Sequence, residues 1–320
     1  MKRYHNAKQK LTVMESLEQL HRQLDSLEEL RTIVKTMKAL SAASVRQYEQ
    51  AVKALDGYYR TVERGLHVVL KSTSTIPFAA LNTHQPPRLG QSRHAQRLGS
   101  IVFGSDHGLC GRFNEDITTY ALERMQSTPA DPSNHVLLAV GARVAANLEH
   151  EGHTVEDIFL VPGSATQITL SVQQILLKID EWREQSNVHY VYLFYNRHSG
   201  GKGYRPTGFE LLPVNLHRFH RLEEEVWPSR SLPTFTMNHE QLFTRLLRQY
   251  LFVTLFRACA ESQASEHSSR LSAMQSAQRN LDEHLEEVTL TFRRARQNVI
   301  TSELLDVVSG FEAITKTPLI

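Results

Sequence analysis

Two cysteines, Cys110 and Cys259, are all that the 320 residues contain. A disulfide scaffold is therefore excluded, and so few thiols suit a reducing compartment. No apolar run reaches the roughly 20 residues needed to span a bilayer. Net charge is nearly absent as well: 36 Lys and Arg against 34 Asp and Glu leave +2. That balance argues against a surface built wholly for nucleic acid. The opening MKRYHNAKQKLTVM is basic but lacks an apolar h-region, which speaks against a secretory signal. A short amphipathic targeting peptide and a frayed extension both fit residues 1–13, with Met14 as an alternative start. Charged residues at 22% and hydrophobic ones at 41% are ordinary for a folded chain, long enough for one large domain or two modest ones.

Helix breakers are missing from both ends of the chain. Between Met14 and Leu70 there is no proline, and the only glycines, Gly57 and Gly65, come late. Apolar residues recur at Leu17, Leu20, Leu24, Leu27, Val34 and Met37, then at Tyr48, Val52, Leu55, Tyr59, Val62, Leu66 and Val69. Steps of three and four are a heptad seam. The spacing predicts one helix of about 55 residues and about 80 Å. From about residue 238 to 313 proline is again absent, and Gly310 is the only glycine. Leu271, Met274, Leu281, Leu285, Val288, Phe292, Ala295 and Val299 step the same way, for about 75 residues and about 110 Å of helix. Patterns this long imply a coiled coil. Two seams in one chain can bury each other as a two-stranded antiparallel coiled coil. Both helices carry small residues, ALSAAS at 39–44 and ACAESQAS at 258–265. If these face each other, Ala42 lies near Ala264. The segment after about Ile300 then has little or no partner helix. Its apolar residues, Leu304, Leu305 and Val308, need a cover supplied by other subunits.

Between the helices the composition changes twice. Residues 71–98 hold STSTIPF and THQPPRLGQSRH and read as a linker. Strands are then predicted at 100–105, 135–141, 155–161 and 188–196, with FELLPV at 209–214 as an edge strand. Helices are predicted at 113–126, 142–152 and 165–184. Apolar strands interleaved with helices imply a mostly parallel, Rossmann-like sheet. The expected fold is thus α/β, with the sheet domain inserted between the arms of the coiled coil. Its parts are helix 1–70, linker 71–98, α/β domain 99–237 and helix 238–320.

Candidate chemistry is sparse. FGSDHGLCGRFNED at 103–116 is a strand, a glycine-bearing loop and a helix start, a junction that can hold phosphate. It matches neither the P-loop nor the dinucleotide pattern, so a structural turn is expected. Cys110 beside His107 and Asp106 suggests a nucleophile only by adjacency, and a buried structural thiol is the better reading. NRHSGGKGYRPTG at 196–208 leads to a strand and not to a helix, which favours a hairpin-like connection. HRFH at 217–220 offers two histidines without a third ligand cluster nearby. No catalytic, metal or cofactor site is expected. Arg293, Arg294 and Arg296 surround a helix with an apolar face, and Lys35, Lys38 and Arg46 flank the small-residue stretch. Both read as solvated faces or as basic contacts for acidic partner loops.

TMKALSAASVRQYEQAVKAL, GSDHGLCGRFNEDI, VYLFYNRH and the run from ASEHSSRL to GFEAI resemble the gamma subunits of F-type ATP synthases, the central rotor shaft. The acidic, leucine-rich opening MESLEQLHRQLDSLEELRTIV and the GGKGYRPTG loop are similar to the divergent bacterial N-type branch. The resemblance implies a non-catalytic subunit without cofactor, turning inside a ring of alpha and beta subunits that carry the ATP sites. It implies an epsilon subunit and a c-subunit ring as further partners. No nucleic acid and no membrane insertion are implied, and the place is peripheral, on the cytoplasmic face of the bacterial inner membrane. Carried over by position, Arg296 and Gln297 match a pair that contacts a carboxylate-bearing loop of a beta subunit. Arg270 and Glu303 are linked to that region, and Met37, between Lys35 and Lys38, matches a position where added charge disturbs coupling. Two other readings stay open on the residues alone: a nucleotide-dependent α/β enzyme with helical extensions, and a structural coiled-coil adaptor.

Overall fold

A computed structural model describes residues 2–71, 97–127, 135–199, 203–215 and 234–315. Its elements in order are α1 (Lys2–Lys71), β1 (Arg97–Phe103), α2 (Phe113–Gln126), β2 (His135–Val140), α3 (Ala142–His150), β3 (Asp157–Phe159), a 3-10 turn at Ala165–Gln167, α4 (Ile168–Gln185), β4 (Val188–His198), β5 (Tyr204–Leu212) and α5 (His239–Thr315). Packing divides the chain into two bodies. One is Met1–Leu40 with Ala273–Ile320, and the other is Ser41–Ser272. Most of the segment expected as a linker, and the HRFH histidines, lie outside the described residues.

The first body is two antiparallel helical arms. On α1, the half-buried positions 17, 20, 24, 27, 34 and 37 are those of the seam expected from the sequence. On α5, Met274 and Val288 are buried, with 281, 285, 292, 295 and 299 half-buried beside them. Two strands of helix can shield only one stripe of each other, so few of these residues are fully enclosed. Cross-helix contacts fix the pairing: His21 stacks on Phe292 at 5.7 Å, Arg31 meets Asp282 at 2.8 Å, and Lys38 donates to Gln278 at 2.7 Å. Past Val299 the apolar side chains lie open. Ile300, Leu304, Leu305 and Val307 are 52–73% exposed.

The second body is a five-stranded sheet in the order β3-β2-β1-β4-β5. β1, β2, β3 and β4 pair in parallel, and β5 runs antiparallel to β4. Alternation along the strands divides the core in two. Ile101, Phe103, Leu138, Val140, Leu193 and Tyr195 face one side, where they meet Trp182 and Ile175 of α4 and Tyr48, Leu66 and Leu255 of the long helices. Val102, Leu137, Ala139 and Phe194 face the other side, under Ile117 of α2 and Leu148 of α3. Strands covered on both faces must be apolar throughout, which is why SIVF and HVLLAV read as continuous runs.

Three expectations change in detail. β1 stops at Phe103: Gly104 still donates its N–H to the Val140 carbonyl, but the Ser105 N–H leaves the ladder for the Asn114 side chain at 2.9 Å. β3 is three residues long and not seven, because the Val161 N–H is taken by the Asp106 carboxylate at 2.9 Å. The helix register also differs. Tyr48 stacks on His267, so in an antiparallel pair Ala42 lies opposite a position well past Ala264. The two small-residue stretches are therefore offset by more than a helical turn. Ala264 is buried in the second body, where the adjacent Ser265 donates to the Asn196 carbonyl of β4 at 2.9 Å. Ala264 shares a heptad position with Tyr250 and Arg257, which meet Tyr59 and Asp56 of α1, whereas Ser265 beside it turns to the sheet.

Candidate partner-contact surface

The loop between β1 and α2 is a segment whose composition suggested chemistry. Two glycines shape its surroundings. A Cβ on Gly104 would stand 2.4 Å from the Val144 Cβ, so α3 packs directly on this backbone. Gly141 has φ +121°, in the region that side chains avoid, and a Cβ there would meet the Ser105 backbone at 2.8 Å. The polar groups of the loop are spent on the fold. Asp106 accepts the N–H groups of Ala142 at 3.0 Å and Val161 at 2.9 Å, joining the ends of β2 and β3. Ser105 and Asn114 bond reciprocally, N–H to Oδ1 at 2.9 Å and Nδ2 to Oγ at 2.8 Å. Burial pushes the Cys110 thiol up, against a lowering hydrogen bond from Ser105. A thiol held protonated, near the carbonyl and not the ring of His107, is a packing residue.

The same loop docks on α5. Ser269 donates to the Cys110 carbonyl at 2.6 Å, and Arg270 reaches the carbonyls of His107 and Gly108 at 3.3 and 3.4 Å. Arg270 also forms a 2.7 Å ion pair with Glu266, and both are almost fully buried. Burial raises the Glu266 pKa, and the Arg270 charge opposes that rise. A second buried carboxylate, Glu261, accepts from Tyr195 of β4 at 3.1 Å and from Arg257 at 2.8 Å. Arg257 extends this network to Asp56 of α1 at 3.6 Å. Burial first, and then Glu261, drives the Tyr195 hydroxyl above its usual range. On α1, Tyr48 donates to the Pro162 carbonyl at 3.1 Å, and Glu49 pairs with His198 of β4 at 3.0 Å. Sheet and helices in this body are thus joined by polar contacts as well as by a core. None of the acidic members was singled out in the sequence. The signal available was that Glu261, Glu266 and Arg270 interrupt a run of small residues on a helix otherwise packed by alanine and serine.

The residues expected to meet partners fall in two places. Lys35, Arg296, Gln297 and Glu303 are exposed on the two-helix body. Met37 and Lys38 are half-buried there, with Lys38 already bonded to Gln278. Arg270 belongs to the second body. Its guanidinium is committed to Glu266 and the loop carbonyls, so only a small remaining surface is left for another chain. Lys35 and Arg296 add cations to a surface that also carries open apolar side chains such as Ile300 and Leu304. No described helix is long and apolar enough to cross a membrane.

Comparisons with known proteins agree on one family. A family model described as ATP synthase matches residues 16–314. The chain is 29% identical over 301 residues to the ATP synthase gamma chain of Desulforamulus reducens, covering 94% of this chain and 100% of that one. It is 27% identical over 301 residues to that of Pelotomaculum thermopropionicum, with the same coverage. Among solved structures, a chain of the Euglena gracilis mitochondrial ATP synthase OSCP/F1/c-ring matches with a TM-score of 0.63 at 17% identity, covering 95% of this chain and 97% of that chain. A chain of the rotor of the same enzyme matches with a TM-score of 0.59, covering 89% and 99%. At these identities the structural likeness speaks for the fold.

Proposed function

The chain belongs to the ATP synthase family, and from that premise we propose that it is the gamma subunit, the central stalk that turns inside the alpha and beta ring and couples ATP synthesis or hydrolysis to ion movement. The observation that carries this reading is the antiparallel pair of long helices ending in open apolar side chains at Ile300, Leu304, Leu305 and Val307. Water alone does not favour such a surface, whereas a sleeve of surrounding subunits covers it. Apolar contacts without strong polar locks let one surface slide past another.

ATP chemistry then belongs to the ring, with catalytic sites on the beta subunits. This chain supplies shape and stiffness. As the two-helix body turns, different faces of it meet three otherwise equivalent sites. Torque enters the α/β body through α1 and α5, which are joined to the sheet by Tyr48, Glu49, Glu261, Ser265 and Arg270. The α/β body serves the epsilon subunit and the c-subunit ring. Arg296, Gln297 and Glu303 are the proposed contacts with a beta loop, and Lys35, Met37 and Lys38 flank that region from α1. The place of action is peripheral, on the cytoplasmic face of the bacterial inner membrane. The whole domain division proposed is helix 1–70, linker 71–98, α/β domain 99–237 and helix 238–320.

The test is co-purification. A tagged copy expressed in its native host brings down alpha and beta subunits, and the isolated chain hydrolyses no ATP. Turnover by the isolated chain that is lost on Asp106→Ala would replace this reading with that of an enzyme.

A further inference from the structure

The far edge of the sheet carries a surface that the stalk role does not use. β3 is the terminal strand of the order β3-β2-β1-β4-β5 and pairs only with β2 among the described residues. Beside it lies α4, which is apolar on two faces. Ile168, Val172, Ile175, Ile179 and Trp182 are buried against the sheet. Leu170 and Leu177, one helical stripe away, are 62% and 64% exposed. Leu160, just after β3, is 71% exposed, and Ile158 is 48% exposed. Between β3 and α4 these four side chains flank an open groove of about 820 Å³. Four large apolar side chains around one groove exceed the scattered exposure normal on a surface.

The rim of the groove is electrostatically uneven. Lys178 sits at its edge with its ammonium 2.6 Å from Asp157, 2.9 Å from Glu156 and 3.4 Å from Glu181. The lysine side chain is 10% exposed, whereas the three carboxylates are 37–47% exposed. The cation is enclosed and its partners face outward, so three anions against one hidden cation leave the rim negative. Burial alone would lower the Lys178 pKa, but the hydrogen bonds it donates to Asp157 and Glu156 more than reverse this.

We propose that this groove docks an extended segment of another subunit of the complex, which adds as a strand to the free edge of β3, places alternate apolar side chains against Leu160, Leu170 and Leu177, and sets a lysine or arginine on the Asp157–Glu181 rim. An open strand edge offers backbone donors and acceptors that a strand satisfies and a helix, already bonded within itself, does not. The period of two along such a segment matches one apolar wall and one backbone edge. The excess of exposed carboxylates selects a basic segment over an acidic one. This proposal rests on the reading of the chain as a stalk subunit, since it takes the partner from the same complex.

The experiment uses the purified intact complex, captured through a tag on the beta subunit. Leu170→Glu and Leu177→Glu together change only exposed side chains. The expected result is about a tenfold or greater loss of one stalk subunit, with alpha, beta and this chain retained. In parallel, p-benzoyl-phenylalanine replaces Leu160, and the cross-linked peptide is identified by mass spectrometry. A cross-link to an extended, Lys- or Arg-bearing segment of another subunit supports the proposal. A cross-link to a helix, to a second copy of this chain or to nothing overturns it, as does a double variant with full wild-type subunit content. If the wild-type chain is not captured with beta at all, the stalk reading itself fails, which is a separate outcome.

Discussion

The Tyr48 ring of α1 stacks on His267 of α5 with centroids 5.6 Å apart and planes 11° from parallel. This contact sets the register of the helix pair beside the sheet, and the Tyr48 hydroxyl continues to the Pro162 carbonyl. One residue thus links both long helices to the end of the β3 segment. Burial first, then the charges of Cys259 and Glu266, holds the Tyr48 phenol at about 12. It stays a neutral donor at any physiological pH.

Acidification should weaken this part of the fold through His267. Burial, reinforced by Arg270, lowers its pKa from 6.5 to about 4. Below pH 6.5 the unfolded chain takes up a proton that the folded chain refuses. Stability therefore falls as pH drops from 6.5 toward 4, by at most about 1.4 kcal/mol per unit. Glu266, whose pKa burial raises, works in the opposite direction at the acid end. Comparison with His267→Gln isolates the histidine. Urea midpoints measured through this range should fall more steeply for wild type, and parallel slopes would remove His267 from the account.

Removing Arg270 should be costly out of proportion to its contact with solvent. Arg270→Ala strands the Glu266 carboxylate in the interior, for an expected loss of about 3–5 kcal/mol. Replacing both, as Glu266→Leu with Arg270→Met, leaves no unpaired charge and should cost clearly less. Denaturant titration of the three proteins decides this, and an additive double variant would contradict the coupling.

Gly141 and Gly152 both have positive φ, but they should respond differently to alanine. A Cβ at Gly141 meets the Ser105 backbone at 2.8 Å, and one at Gly152 meets nothing within 4 Å. Both variants carry the conformational cost of about 1 kcal/mol, and Gly141→Ala adds overpacking of about 1–3 kcal/mol. Thermal unfolding of each against wild type reads the difference.

Changing Arg296 and Gln297 together to Ala should leave the fold intact, since both side chains are exposed. In the assembled complex the expected effect is a severalfold drop in ATP-driven ion pumping. Thermal unfolding of the isolated chain should not move. Pumping equal to wild type would reject the proposed beta contact.

How much could be read in advance depended on whether the controlling contacts were local. Both long helices, their seams, all five strands and the helices expected at 113–126, 142–152 and 165–184 follow from periodicity and from missing helix breakers, which are properties of neighbours in sequence. The resemblance to a rotor shaft could be seen for the same reason, since its signature runs lie on those helices. Strand ends could not be placed, because the Asp106 carboxylate, 55 residues away in sequence, takes the N–H that would have prolonged β3. The helix register also escaped, since two runs of small residues suggested a mutual contact, whereas Tyr48 meets His267 and Ser265 turns to the sheet.

The chain's own order of residues determined that two stiff helices would bracket a parallel sheet and that the last turns would stay apolar, because heptad spacing and alternation act over a few residues. Tertiary structure alone decided which carboxylates are buried, that Arg270 is spent on Glu266 and the 107–108 carbonyls, and that Leu160, Leu170 and Leu177 meet at one open groove. The physical reason is that burial and charge pairing depend on distances between segments far apart in sequence, and these exist only once the sheet and the helices have closed on one another.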